Sequence, residues 1–165
     1  MTELIVVAPL MVVLLIAVLG LYKIAVREQR DSSSRVSSLV DQKNGLERIS
    51  RELRDAEAIE YQSSDVIDAQ ASDSGRWVRF DCSASACRRI EGPSPGSFDT
   101  PPSTLISGVE YANFQLLADT QGLGFQPDFV NPTFVAVTLK VDVEGASNPI
   151  QLDDGFNLRN LTRPE

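Results

Sequence analysis

The sequence predicts an α+β chain: a long N-terminal helix whose first half spans a membrane, followed by an antiparallel β-sheet packed on the helix's C-terminal half. Three observations predict it. Leu4–Tyr22 is a run of 19 residues without a charge. Helical spacing of apolar residues continues beyond that run to about Glu57. After Glu57 apolar and polar residues alternate, as in half-buried strands. The expected divisions are 1–26 for the membrane-spanning segment, 27–57 for an amphipathic continuation of the helix, and 58–165 for the β part.

The apolar run LIVVAPLMVVLLIAVLGLY is close to the ~20 residues needed to cross about 30 Å of hydrocarbon. Thirteen of its residues are Leu, Ile or Val, each favouring insertion by at most ~0.3–0.6 kcal/mol. Together they outweigh one carboxylate, Glu3, at its edge. A cleaved signal peptide would have a shorter apolar core with Lys or Arg before it. Val36, Leu39, Val40, Leu46, Ile49, Leu53 and Ala56 then recur at helical spacing among Arg, Glu, Asp and Ser. Glu47 and Arg51 stand four apart, as a helical ion pair does. Pro9 and the Asn44–Gly45 pair are the expected kinks or soft points.

In the β part, RWVRFDC alternates and ACRRI follows after a tiny turn, which predicts a hairpin pinched by Cys82 and Cys87. GPSPGSFDTPPS, residues 92–103, reads as a loop. YANFQLLA, TFVAVTLKVDV and IQLDDGFNLRN are three further strand candidates. Asp153 and Asp154, before Gly155, read as turn residues and not as a pair of catalytic carboxylates.

Charge and composition remove several function classes. The net charge is -8, with no basic stripe among aromatics, so nucleic acid is not an expected partner. The chain has no His, which takes away the commonest general base and transition-metal ligand. It has no G-x-S-x-G, no P-loop and no metal-ligand spacing. No enzyme activity, cofactor or metal is expected. Cys82 and Cys87, spaced C-x4-C, form a small disulfide loop in an oxidising compartment or two unlinked thiols in the cytosol. Lys23, Arg27, Arg30 and Arg35 flank the apolar run on its C-terminal side. By the positive-inside rule they would place the β part in the cytoplasm, opposite to the oxidised reading of the cysteines.

The start MTELIVV, followed by the apolar run, resembles the N-terminus of type IV pilins and type II secretion pseudopilins. There, a glycine, an aromatic or Met, a Thr, one or two further residues, and then Glu and Leu precede the membrane helix. NGLERISRELRDAE resembles the helix-to-sheet junction of minor members, the J-type minor pseudopilins in particular. VEYANFQLLA and GFNLRN resemble later strands of that subgroup. The resemblance implies a prepilin-type N-terminal methylation motif, processing by a prepilin peptidase, and a single pass through the bacterial cytoplasmic membrane. It also implies an extracytoplasmic C-terminal domain and a surface filament after assembly with other pilin or pseudopilin subunits. Glu3 takes the place of the glutamate that the family uses in assembly. Counted from Met1 it stands two residues early, which implies either a start upstream of Met1, with a basic leader ending in glycine, or a degenerate, unprocessed relative of the family.

The expected function is therefore that of a minor pilin or pseudopilin subunit, inserted in the membrane and assembled through its N-terminal helix. The alternative is a signal-anchored extracytoplasmic binding domain without filament assembly. The alternative explains the anchor and the cysteines and gives Glu3 no role beyond resting at the membrane interface.

Overall fold

The computed structural model describes residues 2–119, 125–129, 132–143 and 148–158; within these, side chains 2–14, 17, 30, 31, 34, 119 and 125 are left undescribed. Helix α1 spans Thr2–Arg54. Nine strands follow: β1 Ala56–Ser63, β2 Val66–Ala71, β3 Trp77–Asp81, β4 Ala86–Gly92, β5 Ser103–Ser107, β6 Val109–Asp119, β7 Phe125–Pro127, β8 Phe134–Val141 and β9 Ile150–Asn157. The chain divides into two units, residues 1–37 and residues 38–165.

The second unit is built from two antiparallel sheets. The first is a five-stranded meander in the order β1-β2-β3-β4-β5, and the second is four-stranded in the order β7-β6-β8-β9. Alternation explains both. In β8, Val135, Val137, Leu139 and Val141 are buried while their neighbours are not, the period of two that sends one set of side chains to the core. Register places Phe114 of β6 opposite Val137 and Leu116 opposite Val135, so the two strands bury one continuous face. In the first sheet Ile67 lies opposite Phe80, and Ala69 opposite Val78, on the face that joins the core.

Within this unit α1 buries Gln42, Gly45, Leu46, Ile49, Ser50 and Leu53, a stripe at spacings of three and four. Leu46, Ile49 and Leu53 enter one core cluster with residues of both sheets. Gly45 is the closest approach. A Cβ added there would meet Leu105 O and Ile106 Cγ1 at 2.5 Å, so the helix can lie against β5 only with no side chain at this position. The helix ends as the Asp55 amide donates to Arg51 O at 3.1 Å. Arg51 and Arg54 fall in its last turn, where cations favour the exposed carbonyls.

The chain passes from the first sheet to the second at Gly108, whose φ is +71°, a conformation that costs glycine little. Two backbone bonds stitch the sheets together beside it. Val109 N donates to Ser85 O at 3.0 Å, and Phe114 N donates to Ser64 O at 2.6 Å. The acceptors are the tips of the β3–β4 and β1–β2 hairpins.

The structure corrects the expected fold class. The chain is mostly antiparallel β, and its strands form two sheets, where a single sheet on a membrane-spanning helix was expected. Among the described residues, no helix is long and apolar enough to cross a membrane. Among the described side chains of α1, the apolar Leu15, Ile16 and Val18–Tyr22 are followed by Lys23, and the apolar Ile24, Ala25 and Val26 by Arg27 and Glu28. Residues 4–14 and Ala17 of the expected span lie outside the described side chains. The membrane-spanning segment is withdrawn, and with it the localisation and the pilin and transmembrane description built on it.

Three smaller corrections follow. Asp153 and Asp154 are not a turn: they sit in β9 opposite Thr138 and Val137, on an edge strand where charge is tolerated and discourages edge-to-edge pairing. The 92–103 loop is one residue shorter than expected at each end, because Gly92 closes β4 and Ser103 opens β5. Gly45 is no soft point in the helix, for it is buried against β5.

The close contact at Gly45 makes opposing demands on a substitution. Gly45→Ala gains helix propensity of about 1 kcal/mol but forces backbone apart at β5. We expect a net loss of about 1–3 kcal/mol in urea unfolding. A stabilised variant would mean that helix and sheet do not approach this closely.

Candidate assembly surface

The first unit presents apolar side chains in an arrangement that a closed protein surface does not use. Leu15, Ile16, Val18, Leu19, Leu21, Tyr22 and Ile24 are all more than half exposed, from 56% for Leu19 to 69% for Leu21. At 100° per residue, positions 15, 16, 18, 19, 21, 22 and 24 point around the whole circumference of the helix, with no gap wider than about 80°. An amphipathic stripe would leave one side polar. Each large apolar side chain gains about 1.5–3 kcal/mol on full burial, so the segment carries a strong drive toward any apolar partner. Lys23 and Arg27 follow it, both exposed and without an acidic partner among the described residues.

The second unit carries charge in pairs and networks. Glu52 of α1 accepts from Arg48 Nε at 2.9 Å and from Arg89 Nε of β4 at 2.7 Å. Arg89 also pairs with Glu91, which lies 3.7 Å from Arg76 Nε, and Arg76 Nη2 donates to Asp99 at 2.5 Å. The series fastens helix, sheet and the loop after β4 to one another. Burial pulls the Arg89 pKa down, but the hydrogen bonds it donates to Glu52 and Glu91 outweigh that and leave it raised. Arg89 is therefore charged at every ordinary pH.

On the other face of the first sheet, Asp68 is fully buried. Arg79 holds it through two bonds of 2.7 Å, from Nε and Nη2 to the two carboxylate oxygens. The Phe98 ring lies 4.5 Å from the same guanidinium. The bond to Asp68 raises the Arg79 pKa against the opposing effect of burial. Asp81 moves the other way. Burial pushes its pKa up, yet hydrogen bonds from the Ser83 hydroxyl and amide, with Arg79 and Arg88 nearby, bring it below its ordinary value. A carboxyl depressed in the folded state adds stability above its unfolded pKa, and that stability is lost as pH falls through the lower folded value.

A cavity of about 220 Å³ opens where α1 ends against the first sheet. Its floor is apolar and made of small residues, Ala69, Ala71 and Val78, and its rim carries Arg51, Glu52, Asp55 and Asp73. Glu52 is engaged by two arginines. The Asp55 and Asp73 carboxylates have no ion-pair or hydrogen-bond partner among the described residues.

Glu3 falls on α1, and its side chain lies outside the described residues. Cys82 and Cys87 are joined by a disulfide, with Cα atoms 4.0 Å apart. Both are buried, closing the β3–β4 turn whose Ser85 carbonyl meets β6. Among the described residues no group of three or more His, Cys, Asp or Glu side chains could hold a metal ion. Sequence reasoning missed the Asp68–Arg79 pair and the Asp55–Asp73 rim. Asp68 alternates with Ile67 and Ala69 as an outward strand residue would, and nothing in the sequence marks its burial. A scan against protein-family models and a search of the curated proteins each returned no match.

The Asp68–Arg79 geometry orders two substitutions. Removing Asp68 leaves a half-buried guanidinium that can reach water, and Asp68→Ala should cost about 2–4 kcal/mol in urea unfolding. Arg79→Ala should cost more, because it strands a fully buried carboxylate. Equal losses, or the reverse order, would show that the pair does not carry this charge.

Proposed function

We propose that this chain is a non-catalytic assembly subunit that joins other protein subunits by helix-to-helix packing through α1. The observation that carries the reading is the ring of seven large apolar side chains between Leu15 and Ile24, exposed on all sides of the helix. Apolar surface of this kind marks an interaction site, and neighbouring helices can cover a full circumference where one groove cannot. The second unit has its own core and its own charge pairs, so it folds around its half of α1 and leaves the apolar residues to partners.

The experiment is sedimentation of the full chain beside a variant with Leu15→Gln, Val18→Gln and Leu21→Gln. Losing three apolar contacts should weaken subunit association at least about tenfold, with the thermal unfolding of the β unit unchanged. Unchanged association would count against the reading. So would uptake of the segment by lipid vesicles with no cross-link between subunits.

A further inference from the structure

The assembly reading leaves open what the rest of a neighbouring subunit touches, and the charges of the chain supply an answer. Residues 1–37 hold four basic and three acidic side chains, whereas residues 38–165 hold 11 basic and 20 acidic. The basic residues of the first unit all lie from Lys23 to Arg35, next to the apolar ring. The second unit is strongly acidic, and its cavity at the end of α1 combines an apolar floor with two carboxylates, Asp55 and Asp73, that have no ion-pair partner among the described residues.

We propose that Lys23 and Arg27 of one copy dock at the Asp55–Asp73 rim of a second copy, making the contact between subunits head-to-tail. This rests on the assembly reading above and names the partner as this same chain. Lys and Arg suit the cavity at both ends. Their methylene stems pack on apolar surface while the charged heads stay at the rim, and the floor of Ala69, Ala71 and Val78 leaves room for such stems. The carbonyl end of α1 lies beside Asp55 and adds a further negative field. The lining also holds one cation, Arg51, and Glu52, whose carboxylate is taken by Arg48 and Arg89. The two remaining carboxylates of the lining, Asp55 and Asp73, belong to exposed residues. A patch on one part of a chain that fits a different part of its neighbour is a heterologous interface, which repeats from copy to copy and does not pair off. The apolar ring supplies affinity in such an array, and the charge contact sets which copy meets which, and in what order.

The test uses the full chain in three forms: Lys23→Glu with Arg27→Glu, Asp55→Lys with Asp73→Lys, and all four together. Self-association is followed by sedimentation at low and high salt, with thermal unfolding as the check on folding. Each double reversal should weaken association about tenfold at low salt and less at high salt. The fourfold variant should associate as the parent chain does, as should a 1:1 mixture of the two double variants. If a reversal unfolds the chain, the neutral forms Lys23→Gln with Arg27→Gln and Asp55→Asn with Asp73→Asn should each weaken association by a smaller factor, and the four neutral changes together should weaken it no more than either pair alone; additive losses would then overturn the docking. Reversals without effect, in a chain whose association is still abolished by the apolar substitutions, would overturn the docking and leave the assembly reading standing. Loss that the fourfold variant does not restore would overturn it also. If neither the reversals nor the apolar substitutions change association, both readings fall.

Discussion

The packing of α1 between Gln42 and Leu53 against the sheets is the contact on which the second unit depends. Ile49 and Leu53 are completely buried, in one cluster with Phe80 of the first sheet and Phe114 of the second. The two sheets share few backbone bonds of their own, at Ser64, Ser85 and Gly108, so the helix side chains fill the space that makes them one core. This face carries a cost as well. Gln42 and Ser50 are buried on it, and Gln42 Oε1 and Ser50 Oγ have no partner among the described residues. At about 1–3 kcal/mol for each unsatisfied group, the apolar contacts of Leu46, Ile49 and Leu53 must outweigh them. A missing side chain at Gly45 is what lets those residues reach the sheet.

The same helix is made of two materials. After Ser38 it buries one stripe and exposes the other, as the helix of a globular protein does. Before that, from Leu15 to Ile24, it exposes apolar residues on every side. The charge pairs have the complementary part. Glu52–Arg89 and Asp68–Arg79 neutralise buried or half-buried groups within the second unit, and they add specificity to a core whose stability comes from apolar burial. Lys23 and Arg27 on one unit, and Asp55 and Asp73 on the other, have no ion-pair partner among the described residues.

How much of this was legible in the sequence depended on whether local pattern or distant contact decided each element. The β3–β4 hairpin was plain, because Trp77–Asp81 and Ala86–Gly92 alternate and the cysteines bracket their turn. β6, β8 and β9 were legible as apolar runs. β1 was not placed, since Ala and Glu dilute the alternation of AEAIEYQS, and β2 hides a buried Asp68 within its alternation. Asp153–Asp154–Gly155 has the composition of a turn, yet pairing with β8 holds it extended. Gly45 looked like a weak point because its low helix propensity is a local property, whereas its contact with Leu105 and Ile106 comes from far along the chain. For the candidate surface, the apolar run was evident from the start. The two carboxylates of the cavity were not, because Asp55 and Asp73 come together only through the β1–β2–β3 meander.

The central claim is that one stretch of α1 is sealed inside its own chain while another is completed by neighbouring subunits. A photoreactive side chain placed at Leu19 and, separately, at Ile49 tests it most directly, with irradiation at concentrations where the full chain associates. The account predicts cross-links between subunits from position 19 and cross-links within one chain from position 49. Intermolecular products from position 49, or none from position 19 in associated material, would contradict it.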